Sequence, residues 1–472
     1  MTSSTLSVRC LTFNCWGLKY VAKVRLERLR AIAHALADLT ATAAANGTPF
    51  SFIALEEIWV HSDFEYVQRL LKENGTFKYS KYFFSGALGA GLAIFSAYPI
   101  RESHTHPFAL NGSPLDVGGG DWYVGKGTGS IVVQPDFLNG QRIEVFVTHF
   151  YAKGGDDGPE THRAHRLVHA WQMSNIVRTA AERGHWVIAM GDYNSLPRSM
   201  VMRLLREHAC LMDSWEAART YNTEKLPTSP LASFVPGEGT HVTSSALARV
   251  TNEVDRPPVT AQEALHTRGV TADSPLNTWS AGKTLSEVAK RDFGKRLDYV
   301  LYRAPRGQLR CVQAEVIFTE PVPGQIYSYS DHFGLDVTLV AQPCIDIEQQ
   351  ERAVYDGEAT MSEDTFENVL DAIRVAGPRA DQNGRRLLLY LGVSLVVLLA
   401  LLSAPFWSPR IDSQWGQRAL AFAGILLTAV VTWFGTTALY VGFIYHNWEG
   451  RALRRVIEEM ELWRERPGLS PS

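Results

Sequence analysis

The sequence predicts an α/β domain that ends in a two-helix transmembrane hairpin. Three observations lead there. Residues 1–341 alternate short apolar runs with turn and helix signals, the pattern of an α/β domain. Residues 387–409 and 419–445 are apolar and uncharged. Each is long enough for a ~30 Å hydrocarbon core, which takes about 20 residues. Within 1–341, most of the apolar runs end on a single polar side chain of a type that does chemistry.

In chain order, "SVRCLTFN" ends on Asn14 and "SFIALEE" on Glu56 and Glu57. The stretch "GGGDWYVGKG", 118–127, contains G-x-x-x-x-G-K from Gly120 to Lys126, the opening of a phosphate-binding loop. Gly127 stands where Ser or Thr should hold magnesium, and Thr128–Pro135, "TGSIVVQP", reads as a strand where a helix should begin. Nucleotide binding is therefore excluded. "RIEVFVTH" ends on His149, and "HWVIAMGDYN" delivers Asp192 and Asn194. Residues 222–285, rich in Thr, Ser and Pro, read as a loop insertion. "KRLDYVLY" carries Asp298, and "SYSDHFGLDVTLV" presents Asp331 and His332.

Residues 342–386 read as a linker with one amphipathic helix near Ser362–Val375, striped by Phe366, Val369, Leu370 and Ile373. The loop between the apolar runs, "RIDSQWGQR", is short, so both flanks of the hairpin lie on one side. Arg379, Arg385 and Arg386 before it, and Arg451, Arg454 and Arg455 after it, place those flanks in the cytosol by the positive-inside rule. The 446–472 tail and the 1–341 domain are expected there too. The N-terminus, "MTSSTLSVRCLTF", lacks the apolar core of a signal peptide. Cys10, Cys15, Cys210, Cys311 and Cys344 form no C-x-x-C pair, which predicts reduced thiols and no zinc site.

Lys and Arg total 46 against 49 Asp and Glu, a net charge of -3, so no basic field points to nucleic acid. Hard carboxylate and amide oxygens suit Mg²⁺, which keeps waters and binds substrate phosphate. Histidines beside carboxylates suit proton transfer near neutral pH. Metal-assisted attack of water on a phosphodiester fits this set.

In order, "FNCWG", "LEEIW", "THF", "GDYNSLP", "RLDYVL" and "SDH" resemble the DNase I-like endonuclease/exonuclease/phosphatase superfamily. "LTFNCWGLKY", "GAGLAIFSAYPI", "GDWYVGKG" and "AHRLVHAWQ", with the hairpin, are similar to the neutral sphingomyelinases and the fungal inositol phosphosphingolipid phospholipases C. The resemblance implies a four-layer α/β sandwich and Mg²⁺-dependent, phospholipase C-type release of ceramide from inositol phosphoceramides or sphingomyelin. "TADSPLNTW" and the segment after His149 favour the fungal type. The resemblance further implies Glu57, Asn14 and Asp331 around the metal. Asp192 and Asn194 orient water and phosphate, His332 is the base held by Asp298, and His149 stabilises the phosphoryl charge. Asp121 and Lys126 become a paired switch, with Lys126 reaching the phosphate. Activation by anionic phospholipids is an implied partnership. Homo-oligomers stay open, as do the endoplasmic reticulum and the mitochondrial outer membrane. The alternatives are another phosphodiesterase of this fold, such as a nuclease, and a non-catalytic membrane tether.

Overall fold

The computed structural model describes residues 7–138, 140–155, 158–224, 258–305, 308–341, 361–407 and 413–465. One six-stranded sheet is built from β1 (Ser7–Asn14), β2 (Phe52–Glu56), β3 (Tyr79–Phe83), β4 (Leu92–Ser96), β11 (Leu309–Ile317) and β12 (Gly334–Ala341). Its order is β11-β12-β1-β2-β4-β3. The second sheet holds β5 (Ile100–Pro107), β6 (Gly127–Val133), β7 (Ile143–His149), β8 (Trp186–Asp192), β9 (Met212–Asp213) and β10 (Asp298–Arg303). Its order is β5-β6-β7-β8-β10-β9. The run after the glycine-rich stretch is indeed a strand, β6.

The two inner faces share one apolar interlayer, with Val8, Cys10, Phe52 and Ile94 meeting Ile131, Val145, Ile188 and Val300. Helices α1 (Arg25–Ala45) and α2 (His61–Glu73) cover the outside of the first sheet, burying Leu29, Ile32, Phe64 and Val67 against Leu11, Phe13 and Ile53. Helices α3 (Glu160–Glu182) and α4 (Met200–His208) cover the second. The result is the expected four-layer sandwich. Shorter helices are α5 (Ser214–Glu224), α6 (Ala261–Arg268) and α7 (Glu287–Arg291). Helix α6 lies inside the stretch expected to be loops. Thr260 caps its start and Gly269, at φ +67°, ends it. Residues 225–257 of that stretch lie outside the described residues.

The linker helix and the first apolar run form one element, α8 (Glu363–Trp407). Gly377–Pro378, a pair that ends most helices, lies inside it. Tertiary packing carries the helix past them: Phe366, Val369, Leu370 and Ile373 are buried in the core outside the second sheet. The predicted stripe is a packing face. From Leu389 onward most side chains of α8 turn outward, and most of those of α9 (Gln414–Leu439) do the same, while Ser394, Gly435 and Ala438 are buried. Both helices are long and apolar enough to cross a membrane. Leu399, Phe422, Ile425 and Trp433 are exposed, which is inconsistent with a pair of buried core helices.

After a π-helical turn, Tyr440–Tyr445, the chain continues as α10 (His446–Arg464). The stretch expected as a tail returns to the 1–341 domain, burying Leu453, Val456 and Met460 beside α3 and α8. Gly384 and Gly442 allow α8 to cross the returning chain closely, since a Cβ on Gly442 would sit 2.8 Å from that of Leu387. Glu449 closes the junction: its carboxylate meets His165 Nε2 at 3.1 Å and His446 Nδ1 at 2.9 Å.

Burial alone would raise the Glu449 carboxyl, but the bonds from His165 and His446 override it and bring it down to about 2. Glu449 therefore stabilises the docked helix above its ordinary titration range, and that stability is lost as pH falls from about 4.5 to about 2. Glu449→Gln should lower hydrogen-exchange protection of the α10 amides by about 10- to 100-fold at pH 7, the size of charge-assisted bonds. The gap from the unaltered protein should close as pH falls through that window.

Candidate active site

The strands alternate apolar residues toward the interlayer, and at one end of the sandwich that phase delivers polar ones. In β1, Val8 and Cys10 face inward, and two and four residues later come Thr12 and Asn14. Phe52 and Ala54 of β2 lead to Glu56. Val145 and Val147 of β7 lead to His149, and Ile188 and Met190 of β8 lead to Asp192. In β10 the order is reversed, with Asp298 preceding Val300 and Tyr302. Register does the rest: Asn14 pairs with Glu56, His149 with Asp192, and Asp298 with Asp192. Gly191 permits the close approach of β7 and β8, since a Cβ there would lie 2.0 Å from Thr148 O at φ +141°.

Four site residues lie outside this alternation: Glu57, Asn194, and Asp331 and His332 in the loop before β12. Glu57 and Asn194 hold left-handed conformations, φ +56° and +47°, which are costly for non-glycine residues. The turns swing both side chains into the site. Asn14 Nδ2 donates to Glu57 Oε1 and to Asp192 Oδ2, both at 3.1 Å. Asn194 donates its backbone N–H to Asp192 Oδ1 (2.8 Å) and its side-chain amide to Phe150 O (3.1 Å). His332 Nδ1 donates to Asp298 Oδ2 at 2.8 Å, leaving Nε2 3.9 Å from Asp192 Oδ2. Asp192 is thus the hub. The cleft above it, about 600 Å³, is lined by Glu57, His149, Asp192, Asn194, Asp331 and His332, with Leu18, Leu196 and Leu285 on its apolar walls.

Burial raises Glu57, and Asp331 raises it further. Burial and then Asp298 push the Glu56 carboxyl well up. Its Oε1 accepts from Thr12 Oγ1 at 2.7 Å, which fits an inward structural role. Asp192 is raised by burial and by Asp298. Burial alone would keep His332 neutral, but Asp298 and Asp192 override it and hold its proton tightly. Burial, with Lys126, keeps His149 neutral.

The expected switch pair is engaged. Lys126 is almost fully buried, 2.9 Å from Asp121 Oδ1, and donates to Phe150 O (2.7 Å) and His149 Nε2 (3.1 Å). It does not line the cleft. His149 accepts through the nitrogen that faces Glu57 and Asp192, so in this arrangement that nitrogen has no proton to give.

Carboxylates crowd the cleft, and among the described residues no lysine or arginine pairs with Glu57 or Asp192, which suits a hard divalent ion. The tightest trio of ligand atoms is Asp192, Asp298 and His332, within 4.8 Å of one another. A metal there would break the His332–Asp298 hydrogen bond. Glu57 instead has Asn14 as a donor and an open side toward Asp331, so the Glu57 side fits better.

Arg28 was not anticipated. Fully buried, it donates to the carbonyls of Cys15 (3.1 Å), Trp16 (2.7 Å), Lys23 (2.9 Å) and Tyr329 (2.8 Å). It thereby ties the β1–α1 loop to the β11–β12 loop that carries Asp331 and His332. The signal was available: an arginine set on the apolar face of "RLERLRAIAHAL". Lys283, 3.2 Å from Asp331, was also missed, because loop contacts have no sequence period.

A family profile described as the Endonuclease/Exonuclease/phosphatase family matches residues 11–332. The chain belongs to that family. Within it, the chain is 31% identical over 461 residues to an inositol phosphosphingolipids phospholipase C of Schizosaccharomyces pombe, covering 96% of this chain and 93% of that one. The Saccharomyces cerevisiae protein of the same name is 30% identical, covering 97% and 90%. A sphingomyelin phosphodiesterase 2 of Rattus norvegicus is 25% identical, covering 97% and 91%. The family match spans every site residue from Asn14 to His332, and the relatives span the apolar helices as well.

Arg28→Lys offers one ammonium where the guanidinium fills four carbonyls. It should lower kcat by about 10²-fold and destabilise the domain by about 2–4 kcal/mol, as expected for a broken buried network. Steady-state kinetics with thermal unfolding would check both.

Proposed function

We propose that this chain is a Mg²⁺-dependent phospholipase C-type hydrolase of membrane phosphosphingolipids, yielding ceramide and a phosphorylated head group. The observation that carries the reading is the convergence on Asp192 of Asn14, His149, Asn194 and His332, with Asp298 behind His332. The names of the full-length relatives supply the substrate class. The higher identity of the two yeast relatives over nearly the whole chain favours inositol phosphoceramides over sphingomyelin.

Glu57 and Asp331 would hold the ion, and Asn14 would join them by turning toward it the Oδ1 that here accepts from the Trp16 N–H at 2.9 Å. When bound, the ion supplies charge neutralisation of the carboxylates and polarises the phosphoryl group. Asp192 and Asn194 position water in line with the phosphorus–oxygen bond to ceramide. Asp298 fixes the His332 ring so that Nε2 faces the cleft. With the surrounding carboxylates neutralised by the ion, Nε2 would give up the proton they hold on it and so be free to take the proton of the attacking water. The bond to the ceramide oxygen breaks, and that oxygen takes a proton from solvent. His332 returns to solvent the one it took, so that one water is added across the phosphorus–oxygen bond. Lys126, released from Asp121, would bring its ammonium to the phosphate and return His149 Nε2 to donor service. The two apolar helices allow membrane association. We read them as a hairpin with both flanks in the cytosol, next to a ceramide that stays in the bilayer. The basic residues beside it are the reason for expecting anionic phospholipids to activate.

Head-group release should be measured from vesicles of inositol phosphoceramide and of sphingomyelin, with Mg²⁺ and with chelator. Release should stop in chelator, and His332→Ala should lower kcat by about 10²–10⁴-fold, the usual range for a lost general base. Hydrolysis of neither lipid, or full activity of His332→Ala, would overturn the reading.

Because Lys126 is buried, an alanine there would also cost stability, so the informative variant keeps its volume. Lys126→Met should lower kcat by about 10²-fold, the loss of one charge-stabilising donor, with KM changed little. Unchanged kcat would return the glycine-rich stretch to an ordinary turn.

A further inference from the structure

Large apolar side chains are exposed unevenly over the sandwich. At the cleft end, the β1–α1 loop exposes Tyr20 (92%) and Val21, the β3–β4 loop Phe84 and Leu88, and the β5–β6 loop Leu115 and Val117 (70%). Tyr20 also has φ +70°, a conformation that glycine or asparagine would hold at lower cost. Neither packing nor backbone geometry accounts for an aromatic side chain there.

Two of these loops form one surface. The Leu88 N–H donates to Tyr123 O, and Gly86 packs directly on Gly125. The surface is continuous with the apolar helices. Leu115 and Asp116 line the same cavity as Leu387 and Tyr390, where the uncharged part of α8 begins. Tyr445 Oη donates to Gly112 O at 2.7 Å, and Trp448 Nε1 to Ala109 O at 2.8 Å. Helix α8 thus climbs the side of the sandwich and enters its apolar run level with these loops. Lys19 and Lys23 flank Tyr20 and Val21, placing cations where lipid phosphates would lie.

We propose that the three loops form a bilayer-docking rim that dips into the interfacial layer of the membrane crossed by α8 and α9, holding the cleft mouth against it. The occupant is the lipid surface. The rim deepens the proposed function and rests on it only for the substrate being an embedded lipid. Tethering by the spans raises local concentration. The rim adds orientation, and its apolar contact with the interface is that of a monotopic anchor.

The test uses the full chain, with Cys210→Ser and Cys344→Ser, reconstituted in phosphatidylcholine vesicles. Cys10, Cys15 and Cys311 are buried and do not compete for label. Nitroxides at Tyr20→Cys and Leu88→Cys should collide with oxygen more than with a water-soluble nickel chelate. A nitroxide at Tyr79→Cys, at the far end of β3, should do the reverse. Water-facing labels at Tyr20 and Leu88 would overturn the proposal. So would dipolar broadening lost on dilution with unlabelled protein, which would make the rim an interface between copies. In parallel, Tyr20→Asp with Leu88→Asp should cut turnover of vesicle-borne phosphosphingolipid by about 10-fold, with a water-soluble short-chain analogue changed less than about 2-fold. Equal loss on both would also overturn it. Immersed labels on a protein that hydrolyses neither lipid would sink the functional reading and leave the rim standing.

Discussion

Everything at the cleft depends on one constraint: two sheets share an apolar interlayer, and the strands that carry the site keep one phase across it. A strand that sends Val145 and Val147 into that layer must send His149 the same way. The same holds for Met190 and Asp192, and for Ala54 and Glu56. Where the strands stop being apolar, they stop together, because parallel and antiparallel register aligns Asn14 with Glu56 and Asp192 with both His149 and Asp298. The interlayer therefore ends in a floor of polar groups with low-dielectric material beneath it.

That floor is electrostatically unfavourable by itself. Burial raises Glu56, Glu57 and Asp192, and the carboxylates raise one another. The structure offsets this with hydrogen bonds from Thr12 to Glu56 and from Asn14 and Asn194 to Glu57 and Asp192, and with the His332–Asp298 pair. Backbone strain at Glu57 and Asn194 is retained at the same place. Polar groups held in such surroundings act strongly on whatever charge enters the cleft. The apolar helices are coupled to this floor through α10 and the β5–β6 loop, which carries Asp121 and meets Tyr445 and Trp448. The Glu449–His165–His446 cluster closes that coupling.

Much of the candidate site was legible in the sequence, and for a physical reason. Short apolar runs ending on Asn14, Glu56, His149 and Asp192, and one beginning at Asp298, carry their own direction, since a strand of period two has only two faces. The family motifs then ordered them. What escaped were residues whose work is done through loops. Arg28 was visible only as a charge on an apolar helix face, and Lys283 not at all. Lys126 was recognised, but its burial was not, because nothing local marks a lysine as enclosed by Asp121, His149 and Phe150 O.

The sequence by itself determined the alternation of elements, the identity of the polar residues at the strand ends, and the presence of two apolar runs of membrane length. Each of these is written in local period and composition. Only the tertiary structure decided that Asp192 is the hub, that α8 continues unbroken through Gly377–Pro378, and that α10 returns to pack beside α3. Those outcomes depend on contacts between residues hundreds of positions apart, such as Glu449 with His165. Packing energy collected over many such contacts outweighs the local preference of a glycine–proline pair, and no window of sequence contains that sum.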